Sequence, residues 1–175
     1  MQGLLFIRVN IMRNTSLIYF EKNGKYLMLN RNKKKNDENA GKWIGVGGKF
    51  EEGESPEECA KREALEETGL VPKKNALKYR GIVTFVSDIY PCEYMHLFTC
   101  KDFIGEITDC DEGELMWIEK EDVMSLPLWE GDRRFLKLLF DDAPFFSLKL
   151  EYKGNELINT EGYCYGNKTG EISSL

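Results

Sequence analysis

The chain has 175 residues, 42% hydrophobic and 31% charged, with 24 Lys and Arg against 30 Asp and Glu for a formal charge of −6. That length fits one folded domain able to bury about 70% of its unfolded surface, and the acidic balance argues against a nucleic-acid polymer or an anionic membrane as the main partner. Five cysteines (Cys59, Cys92, Cys100, Cys110 and Cys164) without a CxxC spacing read as reduced thiols of a cytoplasmic protein, and the lone His96 excludes a His-rich metal site.

Residues 1–14 are read as an N-terminal extension. Residues 4–7 are apolar, but Arg8 and Asn10 interrupt the run and no cleavage site follows, so neither a signal peptide nor a membrane span is expected. Residues 16–30 predict a β-hairpin turning at Asn23-Gly24, and 31–41 (RNKKKNDENAG) a polar, mobile loop. A short strand at 43–46 leads into Gly47-Gly48. Further strands are expected at 77–87, 93–101 and 104–108, then an acidic loop at 109–114 and a strand at 115–118. A short helix at 119–125 stops before Pro127, and a second helix starts near Asp132, burying Phe135, Leu136, Leu138 and Leu139. Phe146, Leu148, Leu150 and Tyr152 alternate with Ser147, Lys149, Glu151 and Lys153. Gly154-Asn155 turns that strand back, giving a C-terminal β-hairpin over 145–166. His96 lies in an alternating run, where a structural role is expected.

Residues 47–70 (GGKFEEGESPEECAKREALEETGL) organise the rest. They predict a tight glycine turn, an acidic loop and a helix capped by Ser55, with Pro56 in its first turn and Gly69 as its left-handed stop. Glu63, Glu66 and Glu67 stand at i, i+3 and i+4, so their carboxylates project from one face and repel. A cation among them would relieve that repulsion, and oxygen-only donors point to Mg²⁺ or Mn²⁺ rather than zinc. Glutamate-rich helices are more often plain solvated faces, so the spacing has to decide.

The spacing is Gly48, five residues, Glu54, seven residues, then Arg62-Glu63-Ala64-Leu65-Glu66-Glu67-Thr68-Gly69-Leu70. It resembles the Nudix box, the glycine-led loop and helix of hydrolases acting on nucleoside diphosphates linked to another group. Seven literal positions agree, and at about 7% background each, chance agreement in one window is on the order of 10⁻⁸. Ala64 stands where the family usually carries a larger aliphatic residue.

The resemblance implies an α/β fold, the Nudix-type α/β/α sandwich with a curved mixed β-sheet, spanning residues 1–175 as one domain. It implies that Glu63, Glu66 and Glu67, helped by the Gly48 carbonyl, hold Mg²⁺ (or Mn²⁺), and that Arg62 and Glu54 pair to fix that geometry. The family also often uses a glutamate in a loop about five residues before a tryptophan-bearing strand. Glu112 fits best, with Glu114 as competitor. Arg31 and Lys49 are further substrate-binding candidates.

Within the family, residues 126–136 (LPLWEGDRRFL) and the terminal hairpin resemble the MutT-like, oxidised-purine nucleoside triphosphatase group. That likeness implies Trp129 against the base and Asp132 at its edge. Gly131 replaces one of two consecutive aspartates, and Ile44 stands where those enzymes carry a base-reading asparagine. The expected activity is a Mg²⁺-dependent nucleoside triphosphate pyrophosphohydrolase with a small nucleotide substrate. The alternatives are cleavage of ADP-ribose, a dinucleotide or a dinucleoside polyphosphate, and a non-catalytic nucleotide sensor, which the intact carboxylate set disfavours. Oligomeric state is not legible.

Overall fold

Strand β1 (Arg13–Lys22) is the spine. A computed structural model describes residues 12–34, 36–166 and 170–172. The expected extension therefore falls mostly outside the described residues, while Arg13 and Asn14 already belong to β1, three residues earlier than the hairpin was expected to start. β1 turns through Asn23 and Gly24, both at positive φ, into β2 (Lys25–Asn30), as an Asn-Gly turn between apolar runs should. β3 (Trp43–Ile44) and β4 (Val46–Lys49) follow, then α1 (Pro56–Thr68), β5 (Val71–Pro72), β6 (Leu77–Ser87), β7 (Glu93–Cys100) and β8 (Phe103–Ile104). The chain continues with β9 (Glu114–Glu119), α2 (Lys120–Val123), α3 (Glu130–Phe140), β10 (Phe145–Lys153), β11 (Glu156–Tyr165) and β12 (Gly170–Glu171).

The main sheet runs β4-β1-β7-β6-β10-β11-β12, with β1/β7 and β6/β10 parallel and the other contacts antiparallel. The far end of β1 passes to β2, which also pairs with β3 and β9. Alternation along β1 sends Ile18 and Phe20 into a core under α1, and Tyr19 into a second core under α3. Phe135, Leu136, Leu138 and Leu139 of α3 are buried in that second core with Phe146, Leu148, Leu150 and Tyr152, as their spacing predicts. The mixed sheet between helices is thus the expected α/β/α layering.

α1 meets the sheet through small residues, Ala60 and Ala64, both wholly buried. Small side chains at 60 and 64 let the helix lie close on the sheet, and at its first turn Ser16 Oγ donates to Pro56 O at 2.8 Å. Its start carries a reciprocal capping box: the Glu58 N–H donates to Ser55 Oγ, and the Ser55 N–H to Glu58 Oε2, so two backbone donors without helical partners are satisfied. Gly69 ends it at φ 75°.

Three local expectations are corrected. The strand expected at 104–108 is only β8, because Gly105 turns away and the Thr108 N–H is spent on Thr68 O at the end of α1. α3 starts at Glu130 with Trp129 in the capping position, so Asp132 is its third residue and caps nothing. The short helix expected at 119–125 is confined to α2. Among the described residues no helix is long and apolar enough to cross a membrane.

Candidate active site

A cavity of about 700 Å³ reaches across the sheet from the glycine turn of β4 to the start of α3. Its floor is Leu17, Phe85, Met95 and Leu150, on neighbouring strands at the margin of the α3-side core. Gly47 and Gly48 form one end. A side chain at Gly47 would put its Cβ 1.9 Å from Ser16 O, and one at Gly48 would put it 2.4 Å from Glu63 Oε1. Only glycine lets β4 pair closely with β1 while the Glu63 carboxylate lies on the turn. The Gly48 carbonyl accepts from Cys59 Sγ at 3.4 Å, and burial pushes that thiol up to about 11.

Arg62 braces this end. Its Nε and Nη2 grip the two oxygens of Glu54 at 2.6 and 3.0 Å, Nη2 reaches Lys49 O at 2.9 Å, and Nη1 reaches Glu63 at 2.7 Å and Glu66 at 3.2 Å. One guanidinium therefore joins the acidic loop, β4 and α1. The hydrogen bond from Arg62 lowers the Glu54 carboxyl to about 2.

The three box glutamates are placed unequally. Glu67 is 7% exposed, lines the cavity and accepts the Gly47 N–H at 3.0 Å. Burial raises it to about 7; the Gly47 hydrogen bond opposes the rise and the Glu63 charge adds to it. Glu63 also lines the cavity, with its side chain 15% exposed, whereas Glu66 is 58% exposed and is absent from the lining. Among the described residues no three acidic, histidine or cysteine side chains stand close enough to hold an ion as they are placed. Glu63 and Glu66 are drawn to Arg62 instead. The chemistry of the donors still fits a hard divalent cation: every candidate is an oxygen, and Glu67 is a buried carboxyl with no ion pair among the described residues.

Glu112 lines the same cavity and is ion-paired to both Arg31 and Lys34, while its competitor Glu114 is exposed at the start of β9. Gly113 makes the placement possible, because a Cβ there would stand 1.9 Å from Asn30 O. Arg31 lines the cavity, and so does the exposed Lys49.

At the other end Trp129 is half-buried. Its Nε1 donates to Asn39 Oδ1 at 2.8 Å, Lys42 Nζ stands 5.0 Å from its ring centre, and Tyr90 and Tyr152 meet it edge-on. Asp132 lines the cavity beside it; burial pushes its carboxyl up to about 7, with Lys42 and Arg133 opposing. Ile44, 9% exposed, adds an apolar wall. Gly131 has a structural reason: a Cβ would fall 2.6 Å from Leu150 Cδ1 and 2.7 Å from Tyr152 Oη, the atom that accepts the Gly131 N–H. His96 is not part of the lining; it is hydrogen-bonded to Tyr79 and stacked near Phe50.

Asp37, Asn39, Tyr90, Glu93 and Tyr152 also line the cavity without having been singled out from sequence. Glu93 has a local signal, a carboxylate at the start of an apolar strand. Burial raises it, and its contacts are long, Thr15 Oγ1 at 3.4 Å and Arg13 at 4.0 Å.

The NUDIX domain family model matches residues 11–139. The chain is 30% identical over 130 residues to the Danio rerio protein named oxidized purine nucleoside triphosphate hydrolase, covering 71% of this chain and 79% of that one. It is 35% identical over 114 residues to the Mus musculus protein of the same name, covering 64% and 71%. Among solved structures it is similar to a MutT protein from Bacillus halodurans, with TM-score 0.76 and 25% identity over 86% of this chain and 97% of the other.

Proposed function

This chain belongs to the Nudix family of hydrolases, and from that premise we propose that it cleaves purine nucleoside triphosphates, oxidised purines included, to a nucleoside monophosphate and pyrophosphate. The reaction would depend on Mg²⁺, with Mn²⁺ able to replace it. The observation that carries this reading is a single cavity holding the acidic glycine turn at one end and an aromatic ring beside a buried carboxyl at the other. The two relatives named for oxidised purine triphosphates support the substrate class.

Glu63, Glu66, Glu67 and the Gly48 carbonyl would hold the ion. When bound, it neutralises phosphate oxygens and makes water a better nucleophile at neutral pH. Arg62, anchored by Glu54, keeps the turn and helix in register. Arg31 and Lys49 pair with the phosphate chain. Water adds to one phosphorus, the P–O bridge breaks with the leaving phosphate oxygen keeping the electron pair, and Glu112, one of the cavity carboxylates outside α1, accepts the proton. Trp129 stacks on the base. Asp132, whose carboxyl burial pushes up to about 7, can donate to or accept from the base edge. Ile44 offers no hydrogen bond, so discrimination between oxidised and normal guanine is weaker than with an asparagine there.

Stacking of a base on an aromatic ring is worth about 1–3 kcal/mol, so Trp129→Ala should raise KM for purine triphosphates about 5- to 150-fold. Asp132→Asn should blunt the preference among bases. If both variants keep the wild-type order of nucleotide preference in steady-state assays, the base pocket lies elsewhere.

A further inference from the structure

The segment 31–41 contains one carboxylate whose two oxygens serve opposite ends of the cavity. The Asp37 side chain is 7% exposed. Its Oδ2 accepts from Arg31 Nε at 2.6 Å, and its Oδ1 accepts the Asn39 backbone N–H at 2.9 Å. Arg31 continues through Nη1 to Glu112, on the side of Glu67 and the glycine turn. Asn39 continues through Oδ1 to the Trp129 indole N–H at 2.8 Å. An unbroken run of hydrogen bonds therefore links Glu112, Arg31, Asp37, Asn39 and Trp129.

We infer that Asp37 is a positioning residue that sets the phosphate end and the base end of the cavity together, orienting Arg31 for the one and Trp129 for the other. This rests on the nucleoside triphosphate reading above and assigns Arg31, Asp37 and Asn39 their part in it. The residue type follows from the chemistry. Two donors approach Asp37 from different groups, and a carboxylate offers an acceptor to each, whereas an amide offers one acceptor and turns its NH₂ toward the other donor. Arg31 has five N–H donors; with Nε and Nη1 committed, Nη2 has no partner among the described residues and is left for a ligand anion. Without Asp37 the long Arg31 side chain loses its fixed fork. Asn39 likewise loses the bond that holds its backbone within a two-residue span, the local turn an Asp favours.

The test separates the two ends with two probes, each titrated calorimetrically into the full chain in Mg²⁺: inorganic pyrophosphate for the phosphate end and deoxyguanosine for the base end. Arg31→Ala should weaken pyrophosphate at least fivefold and leave deoxyguanosine within twofold. Asn39→Ala should do the reverse. Asp37→Asn should weaken both at least fivefold, a double loss that neither neighbour produces alone. An Asp37→Asn protein that keeps either affinity within twofold of wild type overturns the inference. Should that variant fail to fold, Asn39→Ala decides, because unchanged deoxyguanosine binding there breaks the chain to Trp129. Trp129→Ala serves as the control. If it too leaves deoxyguanosine binding unchanged, or if wild type does not bind deoxyguanosine, the base-pocket reading falls and this inference with it. If Trp129→Ala weakens binding while Asp37→Asn does not, only the role of Asp37 is lost.

Discussion

Converting Asp132 to Asn should stabilise the protein above neutral pH, an unusual outcome for removing a cavity carboxylate. Burial raises this carboxyl from 3.8 to about 7, against the pull of Lys42 and Arg133. The unfolded chain ionises Asp132 near its ordinary value while the folded chain still holds the proton. Stability is therefore lost as pH rises from about 4 to about 7, and the loss is constant above that. Each pH unit is worth about 1.36 kcal/mol, so the gap between 3.8 and about 7 caps the cost at about 4 kcal/mol. The residue keeps partial exposure to the cavity, whose water screens the charge, and about 2 kcal/mol is the expected gain. Asparagine keeps the shape and carries no charge at any pH. Urea denaturation of both proteins from pH 4 to 8.5 measures the difference directly. The curves should coincide near pH 4 and separate toward pH 8 with the variant the more stable. Parallel curves across that range would refute the argument that burial holds the proton on Asp132.

Arg62→Ala removes charge-assisted bonds to Glu54 and Glu63 and the tie to Lys49 O. Such bonds contribute about 1.5–3 kcal/mol each when partly buried, so calorimetry should show a lower Tm and turnover should fall with it; if neither changes, the brace is ornamental. Glu66→Gln and Glu67→Gln should each reduce kcat at saturating Mg²⁺ by a hundredfold or more. Glu67→Gln should leave Tm unchanged or raised, because its amide oxygen can still accept the Gly47 N–H without a buried charge. Near wild-type turnover in either variant removes that residue from the ligand set.

What could be read from the sequence was local. The cap at Ser55, the stop at Gly69 and the i, i+3, i+4 carboxylates lie within fifteen residues, so the geometry of α1 followed from spacing alone. The α3 stripe and the terminal hairpin followed for the same reason. Trp129 was readable as an aromatic, but its partners were not. Asn39 and Trp129 are 90 residues apart in the chain, and Tyr152 reaches the cavity because β10 pairs in parallel with β6. The start of α3 was expected near Asp132 because aspartate is common at helix starts, and the helix begins two residues earlier, at Glu130. Trp129 occupies the capping position without a side-chain capping bond, and Asp132, in the first turn, lines the cavity. Spacing alone could not tell that Glu66 is the more exposed of the three and that only Glu63 and Glu67 line the cavity; the docking of α1 on the sheet makes that difference. The strand expected at 104–108 fails because its backbone groups answer the end of α1, a tertiary demand that alternation does not register.

In the proposed reaction one cavity takes a purine nucleoside triphosphate by base and phosphates together. Chromatographic analysis of products from purine and pyrimidine triphosphates, oxidised purine triphosphates, ADP-ribose and a dinucleoside polyphosphate, each with Mg²⁺, tests it most directly. The purine triphosphates should show the highest kcat/KM, with monophosphate and pyrophosphate as the products. Faster turnover of ADP-ribose or the dinucleoside polyphosphate, or release of diphosphate and inorganic phosphate from the triphosphates, would contradict it.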